Sequence, residues 1–119
     1  MFIKQLNACT EIIANDGTRV YELLHPRQDL VELPYSLALA MLDAGQRSKV
    51  HYLLQTEVYY IIRGHGRMHV GDVVEPVSEG TAVVIPPEAP QWIENTGETE
   101  LVFAAIVSPP WRAEDDVRI

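Results

Sequence analysis

The sequence has little cysteine, little positive charge and no long apolar segment. Its single cysteine, Cys9, cannot form an internal disulfide, which fits a reducing compartment. Nine lysines and arginines stand against 17 aspartates and glutamates, a formal net charge of −8, and such acidity disfavours nucleic acid and anionic membranes as partners. No apolar run approaches the roughly 20 residues of a membrane-spanning helix. We therefore expect a cytoplasmic protein that binds neither nucleic acid nor a membrane.

The length of 119 residues fits one domain with a core of its own. Apolar residues make up 47% of the chain and charged residues 22%, which is ordinary globular usage, so disorder is expected only near the ends. Within this single domain, residues 1–34 are predicted to form N-terminal strands and a loop that pack on a central unit at 35–108. Residues 109–119 are predicted to form a charged tail.

The chain has no convincing pattern for a long helix, and turn signals recur every eight to twelve residues or so. Asn15, Asp16 and Gly17 predict a hairpin turn between two short arms. Further strands are predicted at 35–42, 50–62, 67–70, 73–77, 81–85, 91–94 and 100–107. Many short strands without helices indicate an all-β sandwich or barrel.

The segment 50–62 carries an unusual polar stripe. His51, Leu53, Gln55 and Glu57 are spaced two apart, so they share one face if the strand is unbroken, whereas a bulge would turn Gln55 away. Continued alternation on this strand and its neighbours predicts a pocket lining of Leu53, Tyr59, Ile61, Met68, Val83, Ile85 and Ile93. Plain core packing is the simpler role for most of these apolar side chains. Tyr59 is the best candidate among them for contacting a ligand, because its hydroxyl can point inward.

The spacing of residues 45–95 resembles the two sequence motifs of the cupin superfamily. In the first motif, glycine, histidine, glutamate and glycine stand at the family's intervals as Gly45, His51, Glu57 and Gly64. In the second motif, the corresponding positions are Gly80, Pro86, Glu88, Gln91 and Asn95, with Glu88 in the place of the family's glycine and Gln91 in the place of its histidine. The resemblance implies a small single-domain cupin, whose fold is a double-stranded β-helix, a jelly-roll barrel.

Two of the four metal ligands that the resemblance implies are replaced. Cupins of the common type hold a divalent metal with two histidines and a glutamate from the first motif and a histidine from the second. His51 and Glu57 match, but Leu53 and Gln91 stand where the other two histidines would be. A metal such as Zn, Mn, Fe or Ni would therefore depend on a non-standard set: His51, Gln55, Glu57 and Gln91.

Two interpretations of this polar set remain open. In the first, it holds a divalent metal beside a small-molecule pocket, and a sugar-isomerase-like or related metal-dependent enzyme is a lesser variant. In the second, the same side chains form a hydrogen-bonded network in a metal-free, non-catalytic ligand-binding or sensory module. No residue can be assigned a catalytic role.

Outward-facing apolar residues predict a homodimer. Trp92 has the opposite parity to Gln91 and should leave the barrel interior, and Val58, Tyr60 and Ile62 share the outer face of their strand. Cupins commonly dimerise, so the resemblance implies the same assembly.

Overall fold

Turn residues divide the chain into eleven short β-strands and two single turns of 3-10 helix, Leu6–Ala8 and Ala113–Asp115. The structure, a computed structural model, describes all 119 residues. The strands are β1 (Glu11–Ile13), β2 (Arg19–Leu24), β3 (Ser36–Leu42), β4 (His51–Leu53), β5 (Thr56–Arg63), β6 (His65–Val70), β7 (Val73–Ser78), β8 (Ala82–Ile85), β9 (Gln91–Asn95), β10 (Leu101–Ser108) and β11 (Asp116–Arg118). Neither helical turn has the length or the apolar character to cross a membrane.

The strands form two antiparallel sheets. The first sheet has the order β1-β2-β3-β10-β5-β8, and the second has the order β11-β4-β9-β6-β7. Strands adjacent in space are often distant in sequence, as where β3 pairs with β10 and β4 with β9. The all-β jelly-roll barrel predicted from the sequence is confirmed.

One predicted strand is in fact two. Segment 50–62 forms β4 in the second sheet and β5 in the first, and residues 54 and 55 make the bend between them. Part of the predicted C-terminal tail forms strand β11, which pairs with β4 and extends the edge of the second sheet. The chain therefore changes sheets inside the motif that resembles cupins.

The core lies between the inner faces of the two sheets, where alternate residues of strands such as β4, β5 and β9 are buried. Its fully buried large apolar side chains include Ile61 and Phe103 from the first sheet and Ile93 from the second. A dense cluster of ten residues fills much of the interior: Ala40, Leu42, Tyr59, Ile61, Met68, Val77, Ile85, Ile93, Leu101 and Phe103.

Trp92 lies outside the barrel core and is half-buried. Its ring stacks on His69 with 3.5 Å between ring centroids, and the Arg47 guanidinium lies 5.3 Å from the centre of the ring system. Neighbours in the same chain therefore cover Trp92, which removes the need for a partner chain at this position.

The turn before β9 contains a residue other than glycine in a backbone conformation that usually requires glycine. Glu88 stands where the family motif has glycine, and its φ is +68°. Its backbone N–H donates to the Leu53 carbonyl over 2.7 Å, which ties the turn to β4. The side chain is exposed and makes no hydrogen bond, so the left-handed backbone strain is not offset by side-chain contacts.

Replacing Glu88 with glycine should stabilise the protein. Glycine has no Cβ to strain a left-handed backbone, and this outweighs its greater freedom in the unfolded chain, so Glu88→Gly should raise the free energy of unfolding by about 1 kcal/mol. Urea denaturation measures the change. Glu79→Gly, in an exposed turn without positive φ, is the matched control and should give no gain. A Glu88→Gly variant less stable than the wild type would contradict the prediction.

Candidate functional site

A cavity of about 400 Å³ lies inside the barrel, on the side where the first sheet carries small side chains. Ala38, Ala40 and Ala105 line its floor beside Phe103. The turn of the N-terminal hairpin and residues from the C-terminal tail complete its wall. The cavity exists because alanines leave unfilled the volume that larger side chains occupy elsewhere in the core.

The bend between β4 and β5 sets the polar end of this cavity. His51 and Leu53 point inward from the second sheet, while Glu57 and Tyr59 point inward from the first. All four side chains are buried. Two residues six apart in sequence, His51 and Glu57, therefore line the same cavity from opposite sheets.

At this polar end, the side-chain amide of Gln91 makes hydrogen bonds through both its nitrogen and its oxygen. Its Nε2 donates to Glu57 Oε1 over 3.0 Å, and its Oε1 accepts from the Tyr59 hydroxyl over 3.1 Å. The residue is fully buried and pairs directly with His51 between β9 and β4. An amide engaged in this way satisfies buried polar groups on two strands at once.

Glu57 is buried beside few groups that favour its ionised form. Burial raises the pKa of its carboxyl to about 8, although the hydrogen bond from Gln91 acts in the opposite direction. The charges of Asp16 and Asp116 add to the increase. Its Oε1 accepts the Gln91 bond, and its Oε2 makes no hydrogen bond within the protein. Near neutral pH Glu57 is therefore a largely protonated acid on the cavity wall.

Tyr59 is held in its neutral form. Burial, followed by the charge of Glu57, raises the pKa of the Tyr59 hydroxyl well above its ordinary value. The ring packs against Phe103 with centroids 4.4 Å apart. Tyr59 therefore acts as a fixed hydrogen-bond donor to Gln91.

His51 presents one ring nitrogen to the cavity. Its Nδ1 donates to the Lys49 carbonyl over 3.1 Å, because a carbonyl can only accept, and Asp16 Oδ2 lies 3.8 Å from the same nitrogen. Its Nε2 has no partner in the protein. The Lys49 carbonyl thus sets the tautomer and leaves Nε2 free to contact a ligand.

Gln55 does not join this group. Its Nε2 donates to Asp115 Oδ2 over 2.8 Å and lies 3.4 Å from the Pro110 carbonyl. The bend at residues 54 and 55 breaks the alternation that would have placed it beside Glu57. Gln55 instead anchors the C-terminal tail.

The predicted apolar lining separates into two groups. Leu53 and Tyr59 do line the cavity. The others do not line it: Ile61, Met68, Ile85 and Ile93 pack in the filled part of the core, and Val83 packs against them. Large side chains from both sheets meet there and leave no space.

Three further residues at the cavity were not identified from the sequence: Asp16, Trp111 and Asp116. Asp16 Oδ1 accepts from the Thr18 backbone and hydroxyl, and Asp116 Oδ2 accepts from Trp111 Nε1 over 3.0 Å. Asn15 donates to Asp116 across 101 residues of sequence. Only the turn signal at 15–17 drew attention to this region, and no local pattern links it to the C-terminus.

The residues present do not fit a metal site of the family's common type. His51 and Glu57 are the only two of the implied ligands present, Leu53 has no donor atom, and the Gln91 amide oxygen is already an acceptor for Tyr59. No group of three or more His, Cys, Asp or Glu side chains is arranged to hold a metal ion. A divalent metal is plausible for the family as a whole, but this donor set favours hydrogen bonding.

A known sequence family and two related proteins each match most of the chain or more than half of it. Residues 38–107 match the sequence profile of the cupin domain. The chain is 35% identical over 104 residues to an uncharacterized protein of Methanocaldococcus jannaschii, covering 87% of this chain and 82% of that protein. It is 30% identical over 100 residues to an uncharacterized protein of Streptomyces coelicolor, covering 84% and 88%.

Solved structures share the fold at lower identity. A Cupin 2 conserved barrel domain protein from Salinispora arenicola superposes with a TM-score of 0.78 at 18% identity, covering 96% of this chain and 91% of that one. A Streptomyces protein solved with uridine gives 0.80 at 12% identity, covering 100% and 91%. Oxalate decarboxylase from Bacillus subtilis gives 0.81 at 23% identity, but this chain spans only 30% of that protein.

Replacing Glu57 with glutamine should change how stability depends on pH. Between about pH 4.5 and 8 the folded protein keeps a proton on Glu57 that the unfolded chain loses, so the contribution of this group to stability falls as pH rises through that window. Glutamine mimics the protonated acid and can still accept from Gln91. The Glu57→Gln variant should therefore gain stability relative to the wild type from pH 5 to 8, by a few kcal/mol at the upper end.

Urea denaturation at several pH values measures this difference. Glu79→Gln makes the same substitution at an exposed turn and should follow the wild-type curve. A constant difference between Glu57→Gln and the wild type over this range would exclude a buried, protonated Glu57.

Proposed function

Since the chain belongs to the cupin domain family, we propose that it is a metal-free binding protein whose barrel cavity takes a small neutral or cationic organic molecule. The observation that carries the proposal is the Gln91 amide, which is hydrogen-bonded at both ends between Glu57 and Tyr59. In this arrangement a ligand, rather than a metal, meets the free atoms on the polar wall, which are His51 Nε2 and Glu57 Oε2.

The lining of the cavity supports this ligand class. Thirteen of its 21 residues are hydrophobic, and neither lysine nor arginine is among them. Its charged or acidic side chains are Asp16, Glu22, Glu57 and Asp116. The ionised members of this set would repel a small dianion such as oxalate but not a neutral or positively charged molecule.

Metal analysis and ligand-induced stabilisation test the proposal together. Protein purified without chelators or added metal should contain far less than one equivalent of any divalent metal, and added Zn²⁺ or Mn²⁺ should not raise the melting temperature. Members of a panel of neutral and cationic organic molecules, uridine among them, should raise it, because a ligand that binds only the folded state stabilises that state. Oxalate should have no effect.

Two variants make the test specific to the cavity. Ala105→Leu fills the cavity floor and should abolish the stabilisation by ligand, while Ala44→Leu at an exposed turn should retain it. Near-stoichiometric metal that is lost in His51→Ala would contradict the metal-free proposal and favour the non-standard metal set.

We further propose that the chain forms a homodimer through the outer face of the first sheet. Paired strands place a continuous apolar surface there: Leu37, Leu39, Met41, Val58, Tyr60, Ile62, Val84, Ala104 and Ile106. Tyr60 and Val84 are 47% and 67% exposed in the single chain. Arg19 and Arg63, both paired with Glu100, border this surface at one end. An apolar centre with a charged rim is typical of an interface between copies of one chain.

Charge placed at the centre of this face should separate the dimer. Tyr60→Lys should shift the sedimentation profile at micromolar concentration from two chains to one, because an unpaired ammonium would be buried in the interface. Val73→Lys, at a 60% exposed position on β7 of the other sheet, should leave the dimer intact. A monomeric wild type would contradict the proposal.

A further inference from the structure

The cavity carries acidic groups at two separate places. Glu57 stands on β5, and Glu22 stands on β2 of the same sheet. Two strands, β3 and β10, lie between them, and the register places Glu22 in line with Tyr59, two residues from Glu57, so the two positions are about 16 Å apart measured along the sheet. Both side chains line the same cavity.

Small apolar side chains form the cavity wall between these two glutamates. Strand register places Glu22 beside Ala38, Ala38 beside Ala105, and Ala105 beside Tyr59. The two alanines leave a shallow channel between Glu22 and the polar end of the cavity. Such a channel suits a short hydrocarbon segment, which gains by leaving water.

Both glutamates have an oxygen without a partner. Glu57 is 6% exposed, and its Oε2 makes no hydrogen bond within the protein. Glu22 Oε1 is buried and has no hydrogen-bond partner. A buried acceptor without a donor is costly, so Glu22 Oε1 points to a donor supplied from outside the chain, and Glu57 Oε2 is free of protein partners to meet a second polar group of the same ligand.

The nearby charged groups do not supply that donor. Lys4 Nζ contacts the Glu22 backbone carbonyl and is paired with Asp29 over 3.0 Å, and His25 Nε2 donates to the Trp111 carbonyl. At the other end, Asp16 and Asp116 are acceptors for Thr18 and Trp111 and cannot donate to Glu57 as carboxylates. His51 is the only basic side chain that lines the cavity.

We propose that the cavity recognises a linear dication, an alkyl diamine or a molecule of that form, with one ammonium at Glu57, the other at Glu22 and the hydrocarbon chain over Ala38 and Ala105. This inference rests on the proposed binding function and names its ligand class. Burial raises the pKa of Glu57 to about 8, so an ammonium that binds beside it near neutral pH displaces its proton. The Glu57 carboxyl releases this proton to solvent as its carboxylate pairs with the ammonium.

Isothermal titration calorimetry with a homologous series tests the proposal on the unmodified protein. The probes run from diaminopropane to diaminooctane, with aminobutane and butanediol as controls. Diamine affinity should peak at one chain length and exceed that of the monoamine by about tenfold, the equivalent of one further charge-assisted hydrogen bond. The apparent enthalpy should change between buffers of different ionisation enthalpy, which reports proton release on binding, and butanediol should show no such change.

Substitution of Glu22 tests whether this residue binds the second ammonium of the diamine. Glu22→Gln should lower diamine affinity to that of the monoamine and leave monoamine binding unchanged, while Glu79→Gln should match the wild type. Equal affinity of mono- and diamines, absence of a length optimum, or a diamine preference retained in Glu22→Gln would each overturn the inference.

These failures are distinct from failure of the proposed function. If neutral molecules stabilise the wild type but not Ala105→Leu, while diamines do not bind, the binding function stands and the dication assignment is wrong. If metal is present at near-stoichiometric level and depends on His51, the proposed function itself is wrong.

Discussion

The hydrogen bonds of the Gln91 amide join the two sheets inside the barrel. Gln91 belongs to the second sheet, and its partners Glu57 and Tyr59 belong to β5 of the first. All three side chains are buried, and each would be costly to leave unpaired. The amide can satisfy a hydroxyl and a carboxyl at once because it carries both a donor and an acceptor. The relative position of the sheets and the shape of the cavity's polar end depend on this contact.

This contact also explains why the site differs from that of a metal-binding relative. A histidine in place of Gln91 would offer a nitrogen lone pair to a cation, whereas the amide here is occupied by protein partners. Neither lysine nor arginine lines the cavity to balance its acidic groups. The alanines of the first sheet leave free space beside acidic groups that no lysine or arginine neutralises. The combination favours an organic molecule that brings its own hydrogen-bond donors.

Sequence patterns predicted most of the fold because they depend on local rules. Turn residues at 15–17 and alternation in 67–70 and 91–94 correspond to the observed hairpin, β6 and β9. The resemblance to the two cupin motifs also placed His51, Glu57 and Gln91 in one group. The prediction for Gln55 depended on an unbroken strand, and the bend at 54 and 55 removed that condition. Asp16 and Asp116 escaped prediction because hydrogen bonds between the two ends of the chain have no local signature.

By itself, the sequence determined the family, the barrel and the loss of two metal ligands, since these follow from residue identity and from periodicity along single strands. Tertiary structure decided which of the interior residues line a cavity and which fill the core. That division depends on how much volume two facing sheets leave between them, and Ala38 and Ala105 leave space where Met68, Ile85 and Ile93 do not. Tertiary structure also decided the charge of Glu57, because its pKa reflects burial and partners drawn from distant strands.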